Sequence, residues 1–241
     1  MLTMLQIELT KLHRSLALLL ALSAPALVGL FLFLNGLRDG QQNSWAIWVN
    51  AGCGIWAFFM LPMSVTALTA LIAQAEHAPR AWDHLRTLPI PRWRIYTAKT
   101  VMVLMVVLLM SALALALTIC GGGLVGLIRP ENAPTGSLDV MTASALMLRI
   151  AMAAVLMVAI QFYLAVRFAS FVPGLVLGIA GTFFSVVATA EQIGVFLPWQ
   201  MPVNILASDA WRAQTALGLG FGLGLAVLGL AILVLARRDV A

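Results

Sequence analysis

Six stretches of this chain run for twenty residues or more with at most one charge each: 15–34, 47–73, 96–128, 141–166, 170–190 and 215–236. An apolar run of about 18 residues or more marks a helix able to cross the ~30 Å hydrocarbon core of a bilayer. Within lipid each backbone amide must be paired inside its own segment, which favours helices. A membrane β-barrel would show alternating segments of about ten residues, whereas these runs are continuous. Composition agrees. The 241 residues are 62% hydrophobic and 10% charged, against roughly 25% charged in soluble domains. The expected fold is an all-α polytopic membrane protein with six transmembrane helices, forming one domain over 1–241.

The loops are too short to hold a folded soluble domain. Lys11, His13 and Arg14 precede the first run as the n-region of a signal peptide would, but the run continues to Leu34 and reads as a retained helix. Leu2, Leu5, Leu9 and Leu12 make 1–14 an amphipathic helix lying along the membrane surface. With both termini in the cytoplasm, ten of the fourteen Lys and Arg fall in cytoplasmic segments and only Arg38, Arg129 and Arg212 fall outside. The net +5 is thus a topology signal. No compact basic patch with interleaved aromatics suggests nucleic acid. Cys53 and Cys120 show neither disulfide nor metal spacing, and they read as buried small residues.

One long charged segment interrupts the apolar pattern. Residues 76–99, EHAPRAWDHLRTLPIPRWRIYTAK, carry five Lys and Arg, with the connecting loop itself at 76–94. Pro79 suits a helix start, and Ala81, Trp82, Leu85 and Leu88 form one apolar stripe. Arg80, Asp83, His84 and Arg86 take the other faces, and Pro89 and Pro91 stop the helix. Two readings stay open: a helix resting on lipid headgroups, or a docking helix for a cytoplasmic protein.

The segment resembles the first coupling helix of ABC-2-type transporter permeases: Glu76, an amphipathic helix over 80–88, LPIPR at 88–92, then Lys99 opening the next span. QIELTKLHRS at 6–15 resembles the entry pattern of that family, with Glu8, Lys11 and Arg14 in place. LPWQMP at 197–202 resembles a Pro-Trp element of the lantibiotic-immunity and bacteriocin-export branch. The resemblance implies a half-transporter in a bacterial plasma membrane. It would pair with a second permease, identical or paralogous, and with two cytoplasmic ABC ATPase subunits. Coupling residues would be Glu76, Arg80, Trp82, Asp83, Leu85, Arg86, Leu88 and Lys99, with Glu76 and Lys99 either paired or separately solvated. No G-x-x-x-x-G-K-[ST] occurs, so ATP and Mg would belong to the partner and this chain needs no cofactor of its own.

Gly174, Gly178, Gly181 and Ser185 form a small-residue stripe that would let another helix approach closely. The resemblance places it at a dimer interface, and packing within one bundle is the alternative. Gly218-x-x-x-Gly222 and Gly220-x-x-x-Gly224 are assigned to intrachain packing. Arg149 lies inside an apolar run, and snorkelling accounts for it. The connection at 191–210 is expected to form a re-entrant or interfacial cap, with Glu191, Trp199 and Asn204 as candidates for an outer gate or substrate path. No catalytic or metal constellation emerges, and a transport subunit is expected. Its cargo, by resemblance, is a lantibiotic or other antimicrobial peptide. An ATPase-independent carrier or an assembly scaffold is the competing function.

Overall fold

Serine and aspartate caps, prolines and glycines decide how the apolar runs divide into helices. The computed structural model describes residues 2–13, 15–38, 40, 42–77, 91–187 and 192–237. In chain order the helices are α1 (Leu2–Leu12), α2 (Leu16–Gly36), α3 (Trp45–Ile55), α4 (Leu61–His77), α5 (Arg92–Ile128), α6 (Val140–Ala153), α7 (Val155–Arg167), α8 (Val172–Val187), α9 (Met201–Asn204), α10 (Ala210–Leu217) and α11 (Gly224–Arg237). Ser15, Ser44, Asp139 and Asp209 start α2, α3, α6 and α10, each accepting from a backbone amide in the first turn.

Two π-helical segments fuse shorter helices into long ones. Trp56–Met60 joins α3 to α4, and Gly218–Leu223 joins α10 to α11. The first lies just before Pro62. Proline lacks an amide hydrogen and its ring crowds the carbonyl four residues back. Widening the preceding turn, with the Leu61 amide bonded to the Trp56 carbonyl, lets the helix continue through it.

The expected count of six membrane helices is not met. Among the described residues four helices are long and apolar enough to cross: Leu16–Gly36, Trp45–His77, Arg92–Ile128 and Ala210–Arg237. A fifth is reached only if α6 and α7, bent by 40° at Ala154, count as one. The described part of α8 has 16 residues, ~24 Å at 1.5 Å per residue, against a ~30 Å core. Its run began at residue 170, but Ser170 and Phe171 stay outside the helix, which opens with Pro173 in its first turn. Apolar composition alone does not register such a start or the break at Ala154. The placement of both termini on one face was drawn from six crossings; four crossings also return them to one face, and five put them on opposite faces. The expected helix between the second and third runs lies outside the described residues, and the expected cap resolves into a 3-10 turn over Gln192–Phe196 followed by α9.

The core sits where α2, α4, α5 and α7 meet, around Trp56, Leu61, Val103 and Met157, all at most 1% exposed. Glycines set the closest approach. A Cβ on Gly29 of α2 would lie 2.8 Å from Leu117 Cβ of α5. On Gly52 of α3 it would lie 2.5 Å from Thr118. Gly220 and Gly224 receive the α6–α7 break against the backbone of Ala153 and Leu156, whereas Gly218 and Gly222 meet nothing within 4 Å. At the far end of α2 and α5, Asn132 Nδ2 donates to the carbonyls of Gly36 (3.0 Å) and Arg38 (2.8 Å). The Thr135 amide donates to Asn43 O (2.9 Å), and the Trp45 amide donates to Thr135 O (3.0 Å).

Gly29→Val is expected to lower thermal stability in detergent by about 1–3 kcal/mol through overpacking of the α2–α5 seam. Gly123→Val makes the same chemical change where nothing lies within 4 Å, and it should leave the melting curve near wild type. Equal melting of the two variants would show that the seam does not depend on this contact.

Candidate coupling site

Charge is scarce in this chain, and the structure gathers four charged side chains from three distant places in the sequence. Glu8 and Lys11 stand one turn apart on α1, Glu76 closes α4, and Lys99 lies two turns into α5. Lys99 Nζ is 2.8 Å from both Glu8 Oε2 and Glu76 Oε1. Lys11 Nζ is 2.7 Å from Glu76 Oε1 and 3.3 Å from Glu8 Oε1. The side chains of Lys99 and Glu76 are only 1% and 3% exposed, and that of Lys11 is 42% exposed.

Two acids and two bases make the group neutral, with every charge opposite a partner. This is the condition under which buried ions are tolerated, because an unpaired one loses its hydration without compensation. For Lys11, burial pulls the pKa down. The hydrogen bond to Glu76 and the nearby Glu8 and Glu76 charges outweigh it and hold the ammonium above its ordinary 10.5.

The end of α4 is tied on its other side as well. His77 Nε2 lies 3.1 Å from Ala165 O of α7, and Gln74 Nε2 donates to Ala169 O at 3.0 Å. The chain leaves α4 at His77 and enters α5 at Arg92, so the intervening segment springs from roots held by α1, α5 and α7. Glu76 and Lys99 are therefore brought together, while Arg80, Trp82, Asp83, Leu85, Arg86 and Leu88 lie outside the described residues. Glu8 and Lys11 were read as part of a motif but not as partners of that pair. Their three-residue spacing, which puts both on one face of α1, was the available signal.

The small-residue stripe of α8 is filled from within the chain. A Cβ on Gly178 would collide with Thr66 of α4, and one on Gly181 would lie 2.5 Å from the Trp199 ring. Gln161 of α7 is fully buried between the Gly174 carbonyl and the Gly178 amide; with its side-chain amide turned so that nitrogen faces the carbonyl, it bridges the two, both at 3.1 Å. The Ser185 carbonyl accepts from Gln200 Nε2. Trp199 and Asn204 are buried, and Asn204 Oδ1 accepts from Arg212 Nε at 3.0 Å. Glu191 lies outside the described residues. Arg149 is exposed on α6 and makes no hydrogen bond or ion pair among the described residues. Cys53 is buried and Cys120 exposed, both as free thiols. Among the described residues there is no group of three or more His, Cys, Asp or Glu able to hold a metal.

Lys99→Met should destabilise the fold by about 3–5 kcal/mol, since it leaves two buried carboxylates short of a cation. Lys11→Met removes a half-exposed cation and should cost less than about 1 kcal/mol. The Lys11 contribution is complete below its ordinary pKa and is lost as pH rises through the raised value in the folded protein, above 10.5. Wild type and Lys11→Met should therefore differ in melting temperature at neutral pH and converge in strong alkali.

A family model described as ABC-2 family transporter protein matches residues 4–185, about three quarters of the chain. The match runs from α1 into α8 and includes Glu8, Lys11, Glu76 and Lys99. No curated protein sequence matches the chain. The chain belongs to the ABC-2 transporter family: it is a multi-pass α-helical membrane protein consistent with a bacterial plasma-membrane transporter.

Proposed function

We propose that this chain is the membrane subunit of an ATP-driven exporter and that a separate ATPase docks on the 76–94 loop. One observation supports the reading: both roots of the loop enter a neutral, buried ion cluster, Glu76 at one end and Lys99 at the other, joined by Glu8 and Lys11 of α1. A push on a flexible loop would dissipate within the loop. A push on a loop rooted in this cluster is delivered to α1, α4 and α5 together. Trp82, Leu85 and Leu88 would fill a groove on the ATPase, with Arg80, Asp83 and Arg86 at its rim. ATP and Mg would be bound by that partner.

Two permeases, of the same chain or of this chain and a paralogue, would pair with two ATPase subunits. The cargo would be an amphipathic peptide of the lantibiotic class, taken from the membrane and moved outward. This part rests on the Pro-Trp element at 197–202 and on the general resemblance.

Purification of the tagged chain in mild detergent from its native host should retain a subunit with a Walker motif and ATPase activity. The double variant Trp82→Ala/Arg86→Ala should lose at least about tenfold of that subunit, or ~1.4 kcal/mol of binding, with an unchanged melting temperature. Cells carrying it should become sensitive to the exported peptide. Transport that survives release of the ATPase would exclude this coupling route and favour a carrier working without one.

A further inference from the structure

The ion cluster forms one end of a cavity of about 280 Å³ between α1, α2, α4 and α5. Its walls are apolar, built largely from Leu12, Leu71, Ile72 and Met102. Leu16 and Ala75 stand exposed at its rim. The polar end carries two uncommitted valences. Glu76 Oε1 accepts from both lysines, while Oε2 of the same buried carboxylate accepts no hydrogen bond among the described residues. Lys11 Nζ donates to Glu8 and Glu76, which leaves one of its three protons free.

The chemistry of an occupant follows from these atoms. The cluster is neutral overall, so a ligand of net charge would leave that charge uncompensated beside low-dielectric walls, whichever sign it carried. A group bearing an anion and a hydrogen-bonding cation satisfies both valences at once. The apolar walls require that such a head be joined to a hydrocarbon chain. The cavity lies beside α1, whose Ile7 and Leu9 are exposed apolar residues on a helix packed across the ends of the spans, where lipid headgroups lie.

We propose that this cavity binds a phospholipid with a phosphoethanolamine head. Its phosphate accepts from the free Lys11 proton, its ammonium donates to Glu76 Oε2, and one acyl chain lies against Leu12, Leu71, Ile72 and Met102. The bound lipid adds a charge pair to the cluster that roots the 76–94 loop. The site does not depend on the proposed ATPase partner, since all its residues belong to this chain.

The test uses the full purified chain, delipidated in detergent and offered phosphatidylethanolamine, phosphatidylcholine and phosphatidylglycerol with identical acyl chains, with retained lipid read by native mass spectrometry. Phosphatidylethanolamine should be retained about fivefold or more over each of the others, the worth of one net hydrogen bond of ~1 kcal/mol. Phosphatidylcholine presents a cation with no proton to donate, and phosphatidylglycerol presents none. Ala75→Phe fills the rim without touching a charge and should abolish the preference while keeping the melting temperature. Glu76→Gln, where it folds, should lower ethanolamine retention to the choline level. Equal retention of the three lipids, a preference for phosphatidylglycerol, or a preference that persists in Ala75→Phe would each overturn the proposal.

Discussion

A charge removed from water needs an opposite charge within hydrogen-bonding reach, and in this chain that requirement fixes how three separate elements meet. Lys99 is almost wholly buried and is held by Glu8 and Glu76. Neither carboxylate comes from its own helix, so α5 meets its electrostatic need only when α1 and α4 are in place. Lys11 completes the balance from the exposed side. Amphipathicity would leave α1 free to slide along a membrane surface. The ion pairs instead fix its register against the bundle, and Ser15 then turns the chain directly into α2.

Elsewhere the bundle is organised by absence of side chain. Gly29 and Gly121 let α2 and α5 touch backbone to backbone, with a Cβ on Gly121 placed 3.3 Å from the Gly29 carbonyl. Gly220 and Gly224 do the same against the bend at Ala154, while Gly178 and Gly181 of α8 make room for the side chains of Thr66 and Trp199. With lipid as solvent there is little hydrophobic drive between helices, so such close contacts carry much of the association. The two π segments place their widened turns in this setting. One accommodates Pro62, and the other lies opposite the α6–α7 break.

Much of this was legible from residue patterns. The four long helices contain their apolar runs to within a residue or two, and a serine or aspartate stands where three of them begin. The approach of Glu76 to Lys99 was one of two readings available from their positions at the loop roots. What could not be read was geometry set by tertiary contact. The break at Ala154 has no proline or glycine to announce it. The start of α8 at Val172 shortens an apolar run that looked long enough to cross. Small residues at three-to-four spacing mark a close contact without naming its partner, and Gly178 turned out to face Thr66 and Gln161 of its own chain. Glu8 and Lys11 lie 65 and more positions from Glu76 and Lys99, a separation over which spacing says nothing.

The clamp made by Asn132 has a mechanical corollary. α5 is a single rod of 37 residues, ~55 Å at 1.5 Å per residue. At its beginning the ionic knot binds it to the helix that leads into α2, and just past its finish the Asn132 amide grips the carbonyls of Gly36, which ends α2, and of Arg38 beyond it. Fastened at both extremities and seamed by glycine between, these two helices form a beam of continuous helix, with Pro25 of α2 the one proline inside it. The departures from regular helix, at Ala154 and in the two widened turns, all lie in the helices that pack beside it, where interrupted backbone hydrogen bonding makes bending easier than along the beam.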